Sequence, residues 1–268
     1  MFDRHFEAFR ADVWSAVETS FRLRYQVYCK DMGWEDPERF PDQMEVDEYD
    51  SLSTQFLVRR GRSKAWIAAM RIIVAPLESL PIMMFTRIDD ATLPESARDE
   101  VLEISRMCVV TKYRRRQSSG PFDPDDSFLG SSYRAKESWI LLGLLRAVRQ
   151  FSEETRRRYW LFYATDPLAR LVRNSGFDIK AIGPHIEHRG LRRPYLFDRL
   201  TGALELPKKA PDVWAMWISP GYRLFSELPE NERGVRRGIR RLGEQPNGSA
   251  ALSGPHALHE VVEAGVKA

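Results

Sequence analysis

The chain has 268 residues, 43% of them hydrophobic and seven of them tryptophan, ample for a packed core without staples. Its two cysteines, Cys29 and Cys108, stand far apart in apolar or helical surroundings; they exclude a disulfide framework and a cysteine zinc site, and a reducing cytoplasm is the expected compartment. The formal charge of +3 is modest, yet arginines cluster at Arg114–Arg116, Arg156–Arg158, Arg192–Arg193, Arg236–Arg237 and Arg240–Arg241, without any nucleic-acid module that would make DNA or RNA the expected partner.

In chain order, MFDRHFEAFRADVW carries charges throughout and lacks an apolar leader core, and no run approaches a membrane span. Phe2, Phe6, Phe9, Val13, Val17, Phe21 and Tyr28 recur at intervals near three to four and predict one amphipathic helix or two short ones over 1–28. Residues 30–50 lose that period at Gly33, Pro37 and Pro41, which predicts a long loop with Trp34 capping a pocket or the core edge. The loop closes on Glu45, Asp47, Glu48 and Asp50. That run lacks the glycine turn and distant glutamate of a calcium loop, so the expected use of Asp47 and Asp50 is a salt-bridge network with Arg24, Arg71 or Arg106. No HExxH pattern accompanies His185 and His188 or His256 and His259, and no metal is expected.

Thr54–Arg59 and Ala65–Val74 read as a hairpin, the second strand interrupted by Arg71. A short strand near Ile82–Phe85 and a helical turn at Pro94–Glu100 lead into residues 102–116, LEISRMCVVTKYRRR. One parity of that strand is Leu102, Ile104, Arg106, Cys108 and Val110; the other is Glu103, Ser105, Met107 and Val109. Both are largely apolar, which predicts a central strand covered on both sides. A carboxylate and a guanidinium on such a strand are expensive unless paired. By themselves they fit either a structural ion pair or a functional site.

A Gly/Pro/Ser/Asp-rich loop, Gln117–Ser132, then precedes a helix over Tyr133–Glu154, a strand over Tyr159–Ala164 and a helix with Asp166 as N-cap and Pro167 in its first position. Residues 177–199 read as a closing hairpin around His188–Arg193, and Val213–Ile218 as an aromatic patch that docks on the body. The expected organisation is a domain over 1–206, an extension over 207–242 and a disordered tail over 243–268.

This order of elements is the layout of the GNAT acyltransferase fold, an α/β (α+β) fold with a mixed central sheet flanked by helices. LRYQVYCKDMGWE at 23–35, EVDEYD at 45–50, Arg71 and EISRMCVV at 103–110 together resemble the acyl-homoserine-lactone synthases. IGPHIEHRGLRRPYLFD from Ile182 looks more like the PEP-CTERM/exosortase-associated acyltransferases, GNAT relatives that are long-chain N-acyl amino acid synthases. The resemblance spans roughly residues 15–220.

It implies a catalytic set of Glu103, Ser105 and Arg106 and a substrate-binding set of Arg24, Tyr28, Trp34, Asp47, Asp50, Arg71 and Met107. Tyr28 stands where the lactone synthases usually have phenylalanine. The usual pyrophosphate loop is not intact after Val110, where Arg114–Gly120 supplies arginines and one glycine; this implies a donor other than acetyl-CoA, with acyl carrier protein docking on Arg114, Arg115 and Arg116 and a further basic face at Arg156–Arg158. The implied activity is transfer of a long-chain acyl group from acyl carrier protein or acyl-CoA to an amino acid, with no resident cofactor and peripheral membrane contact only through the lipid product. The alternatives are a lactone synthase that uses S-adenosylmethionine as acceptor, and a non-catalytic carrier-binding module. Glu103 is the expected general base, Cys108 a core residue, and Trp34, Met107 and Trp139 the expected lining of an acyl tunnel.

Overall fold

Two runs of consecutive apolar residues, FLV at 56–58 and WIAAM at 66–70, build the middle of a mixed sheet and bury its neighbours on both sides. The structure is a computed structural model that describes residues 2–111 and 133–233, apart from the side chains of 133–137. The expectations for Arg114–Arg116, the 117–132 loop and the tail fall outside the described residues.

The described strands are β1 (Phe6–Arg10), β2 (Ser53–Arg60), β3 (Trp66–Ile73), β4 (Val101–Val109), β5 (Tyr159–Ala164), β6 (Lys180–Ala181), β7 (Ile186–Glu187), β8 (Leu191–Asp198) and β9 (Arg223–Leu224). They run in the order β6-β8-β5-β4-β3-β2-β1-β9, with β7 paired to β8. The pairs β4–β5 and β1–β9 are parallel and the others antiparallel. The principal helices are α1 (Trp14–Tyr25), α2 (Tyr133–Glu154), α3 (Asp166–Asn174) and α4 (Pro211–Trp217).

One face of the sheet packs on α2 through Leu102, Ile104, Trp160, Ile140, Leu144 and Val148. The other carries α1 at one end, where Leu23 and Val27 meet Cys108 and Val110, and the turns of 77–97 at the other, where Leu80 and Ile82 meet Val101 and Leu161. Gly143 in α2 is required by packing, because a Cβ there would lie 2.1 Å from the buried ring of Phe2.

Four expectations are corrected. Residues 6–10 form β1 and not helix, because Phe6, Ala8 and Phe9 gain a partner in β2 that local periodicity does not show. Pro81–Met84 is a 3-10 turn and not a strand, started by Pro81 in its first position. The N-cap of α3 is Thr165; Asp166 is its first helical residue, and its carboxylate pairs with His185 at 2.9 Å. Finally, β4 does not keep one parity. Ser105 pairs with Arg71 but Cys108 with Ala69, so β4 carries one residue more than β3 between them, and Arg106 absorbs it with φ +50°. Beyond that bulge the faces exchange: Met107 and Val109 join Leu102 and Ile104 on the α2 side, while Cys108 and Val110 join the α1 side.

Candidate active site

The pairing of β4 with β5 ends at Ile104 opposite Phe162, while β5 stays paired to β8 as far as Ala164 opposite Arg193. The two parallel strands therefore part just where β4 bulges. A cavity of about 380 Å³ lies at this opening and is lined from both faces of the sheet. On the α2 side its wall is apolar, with Ile104, Met107, Leu145, Trp160, Phe162 and Val172; on the other side it is charged, with Glu45, Asp47, Arg71, Glu103 and Arg106.

The charged wall is a closed ion network. Arg24, 0% exposed, binds Glu45 and grips Asp50 with two bonds of 2.6 and 2.9 Å. Arg71 binds Asp47 and Asp50 and donates from Nε to Ser105 Oγ at 3.1 Å. Arg106 reaches Glu45 at 3.0 Å and Asp47 at 2.6 Å. Gln55 extends the set, donating to Asp50 at 3.1 Å. Burial opposes ionisation of Asp50, but Arg24 and Arg71 outweigh it and hold its carboxyl below the usual range. The bulge makes this possible: on an unbroken strand Arg106 would share the face of Ile104, and the left-handed backbone turns it to the acidic loop instead. Asp47 and Asp50 also cap the turn at Glu48–Leu52 in a reciprocal box, which fixes the acidic run against the arginines.

Glu103, 3% exposed, is in a different situation. Among the described residues no arginine is in hydrogen-bond reach; its Oε2 accepts from the Ile82 backbone N–H at 2.7 Å. Burial pushes its pKa up to about 7, against the pull of the Ile82 N–H, Arg71 and Arg106. Tyr163 shares the same turn, donating to the Ile82 carbonyl at 3.2 Å and lying 2.6 Å from the Thr86 hydroxyl. Burial raises its pKa as well. Ile82 thus ties a carboxyl and a phenol together at the opening, a pairing invisible in sequence because the contact runs through main chain.

The other expected residues are distributed around this centre. Tyr28 is buried and donates to the Met107 carbonyl at 3.2 Å, and Trp34 stacks on it with ring centres 5.8 Å apart. Trp34 is 37% exposed and does not line the cavity; it packs against two residues that do, Tyr28 and Arg192. Trp139, expected in an acyl tunnel, does not line the cavity; its position on α2 places it in a separate cleft with Asp3, Asp212 and Met216. Arg158 pairs with Asp198 at 2.7 Å at the start of β5, the opposite end from the opening, so Arg156–Arg158 is not placed at the cavity. Cys108 is buried and its thiol is pushed up to about 12 by burial, which makes it inert. Sequence reasoning missed His188, Arg189 and Arg192, which line the cavity from the β7–β8 hairpin. Arg189 pairs with Glu35, and Arg192 lies over Trp34. Their sequence signals were the Arg192–Arg193 cluster and the hairpin expected around His188–Arg193, neither of which pointed to a cavity. Among the described residues no cluster suited to a metal is present, and no helix is long and apolar enough to cross a membrane.

Residues 23–120 match the family model described as an acetyltransferase (GNAT) domain. Among solved structures, TofI in a ternary complex with an inhibitor and MTA is similar over 77% of this chain and 99% of its own, at 17% identity and a TM-score of 0.52. BjaI, a CoA-dependent acyl-homoserine lactone synthase with SAM and isopentyl-CoA, is similar over 81% and 92%, at 18% identity and 0.52. FeeM, an N-acyl amino acid synthase from uncultured soil microbes, is similar over 75% and 97%, at 14% identity and 0.46. The fold is GNAT-like, and the segment 23–120 carries the sequence of an acetyltransferase (GNAT) domain.

Proposed function

We propose that the chain is a cytoplasmic N-acyltransferase that moves a long-chain acyl group from a thioester, on acyl carrier protein or coenzyme A, to the α-amine of an amino acid. The observation that carries this reading is a single opening between β4 and β5 with an apolar wall on one side and, on the other, a carboxyl whose pKa is near 7. The acyl chain would occupy the apolar wall and the amine would approach Glu103. Amide formation needs the amine neutral, and a carboxylate titrating near neutrality is suited to take its proton as nitrogen attacks the thioester carbon. The C–N bond forms, the C–S bond breaks, and the thiolate leaves with a proton for which the Tyr163 hydroxyl is a suitably placed source. Backbone N–H groups of β4 freed by the parting of the strands would polarise the carbonyl.

The hairpin whose sequence looked like the N-acyl amino acid synthases contributes His188, Arg189 and Arg192 to the cavity, which favours this reading. A lactone synthase using S-adenosylmethionine is the second reading, favoured by the fold shared with BjaI. Lipid extracts of cells expressing wild type, Glu103→Gln or empty vector, compared by mass spectrometry, separate the two. New masses equal to fatty acyl plus amino acid in the wild type alone are expected. Acyl-homoserine lactones would establish the second reading. Absence of any new product would remove catalysis and leave a carrier-binding module.

A further inference from the structure

The three arginines of the expected substrate-binding and catalytic sets are all taken. Arg24, Arg71 and Arg106 are matched by Glu45, Asp47 and Asp50. Of the remaining cavity arginines, Arg39 and Arg189 both bind Glu35. Arg192 is different. Its guanidinium lies over the Trp34 ring, 5.4 Å from the centroid, and among the described residues its Nη2 donates to the Arg189 carbonyl at 3.3 Å. Its Nε is buried without a partner, and it forms no ion pair with any described carboxylate.

From this geometry we infer that Arg192 anchors the carboxylate of the acceptor, so that the acceptor is a free α-amino acid and not a simple amine, an ester or a peptide nitrogen. The inference rests on the amide synthesis proposed above. A half-buried guanidinium with no counter-charge among the described residues is costly, and a ligand anion removes the cost. Burial, reinforced by the charge of Arg106, already holds the pKa of Arg192 below its ordinary value, and burial with Arg192 and Arg106 does the same to His188. A guanidinium positioned over an indole keeps donors that suit a planar carboxylate. In an α-amino acid the amine is one carbon from that carboxylate. An acceptor held by Arg192 therefore carries its nucleophile into the cavity that Glu103 shares. The same fork would accept the phosphate of the donor's pantetheine arm, and the test separates the two anions.

The experiment is steady-state kinetics of wild type, Arg192→Gln and Arg192→Lys. Acceptors are each standard amino acid and its methyl ester; donors are dodecanoyl-CoA and dodecanoyl acyl carrier protein. In wild type the free acid is preferred to the ester. Arg192→Gln raises the acceptor KM about tenfold or more, leaves the donor KM within about twofold and abolishes the preference for the acid, while Arg192→Lys recovers part of it. An unchanged acceptor KM, or a preference that survives Arg192→Gln, overturns the anchor while product formation stands. A rise confined to the donor KM overturns it in favour of the pantetheine phosphate. If wild type acylates no amino acid, the amide-synthesis reading falls and the anchor with it.

Discussion

The arginine network behind one wall of the cavity and Arg192 on the hairpin across it are treated oppositely by the fold. Arg24, Arg71 and Arg106, on α1, β3 and β4, share three carboxylates in a buried network with few free donors. Arg192, on the hairpin across the opening, has an aromatic ring beneath it and no carboxylate among the described residues. A saturated buried network belongs to the fold, since it can give up nothing to a ligand without leaving a charge exposed to a low dielectric. An unsaturated guanidinium is available to one. Resemblance points to the first group because scattered polar residues on strands are easy to see; the accounting of hydrogen bonds points to the second.

The largest effect that tests this contrast is on stability. Arg24→Ala leaves Glu45 and Asp50 buried without their main partner and should cost about 3–5 kcal/mol in urea unfolding. A loss below about 1 kcal/mol would mean that the network does not brace the fold. Next is Glu103→Gln, expected to lower kcat about 10²–10⁴-fold. Wild-type kcat/KM should rise as pH increases through about 7, where Glu103 becomes a base, and the variant should lose that limb.

The same group gives a linked stability effect. A carboxyl that titrates at about 7 when folded, against its ordinary 4.5, binds its proton more tightly in the native state, so stability falls as pH rises from 4.5 to 7. The advantage of Glu103→Gln over wild type should therefore grow by about 3 kcal/mol between pH 4 and pH 8 in paired unfolding curves. A constant difference would contradict the raised pKa. A smaller change is expected from Val172→Trp, which fills the apolar wall; the product profile should move to shorter acyl chains at about 1–3 kcal/mol of overpacking cost, read by mass spectrometry and thermal melting. The smallest is the stability of Arg192→Gln, within about 1 kcal/mol of wild type, because no carboxylate is orphaned. A loss as large as that of Arg24→Ala would erase the distinction between the two groups.

Much of the fold was legible because its signals are local. The β2–β3 hairpin, α2 and β5 announce themselves through consecutive apolar runs or a sustained helical stripe, and they fall within a residue or two of where they were expected. β1 was not legible, since Phe6 and Phe9 suit a helix stripe as well as a strand and only the partner strand decides. The candidate site was legible as a list of residues and illegible as an arrangement. Glu103 stood out as a carboxylate on an apolar strand, but its hold on Ile82 and the link through Ile82 to Tyr163 depend on a turn some twenty residues upstream. Trp139 looked like tunnel lining because it is large and on the right helix, and helix rotation places it in another cleft.

What the sequence determined by itself is the inventory: a mixed sheet with helices, an acidic run, three arginines to meet it and one carboxylate on a central strand. These follow from hydrophobic period and from the cost of burying charge, which act on neighbours along the chain. The tertiary structure alone decided the faces. One extra residue in β4, taken up by Arg106 in a left-handed conformation, exchanges the two sides of the strand and coincides with its parting from β5. A bulge is a matter of register between two strands, and register is set by packing across the sheet. The same holds for Arg192, whose lack of a carboxylate partner among the described residues is decided by what packs around it and not by its own stretch of chain.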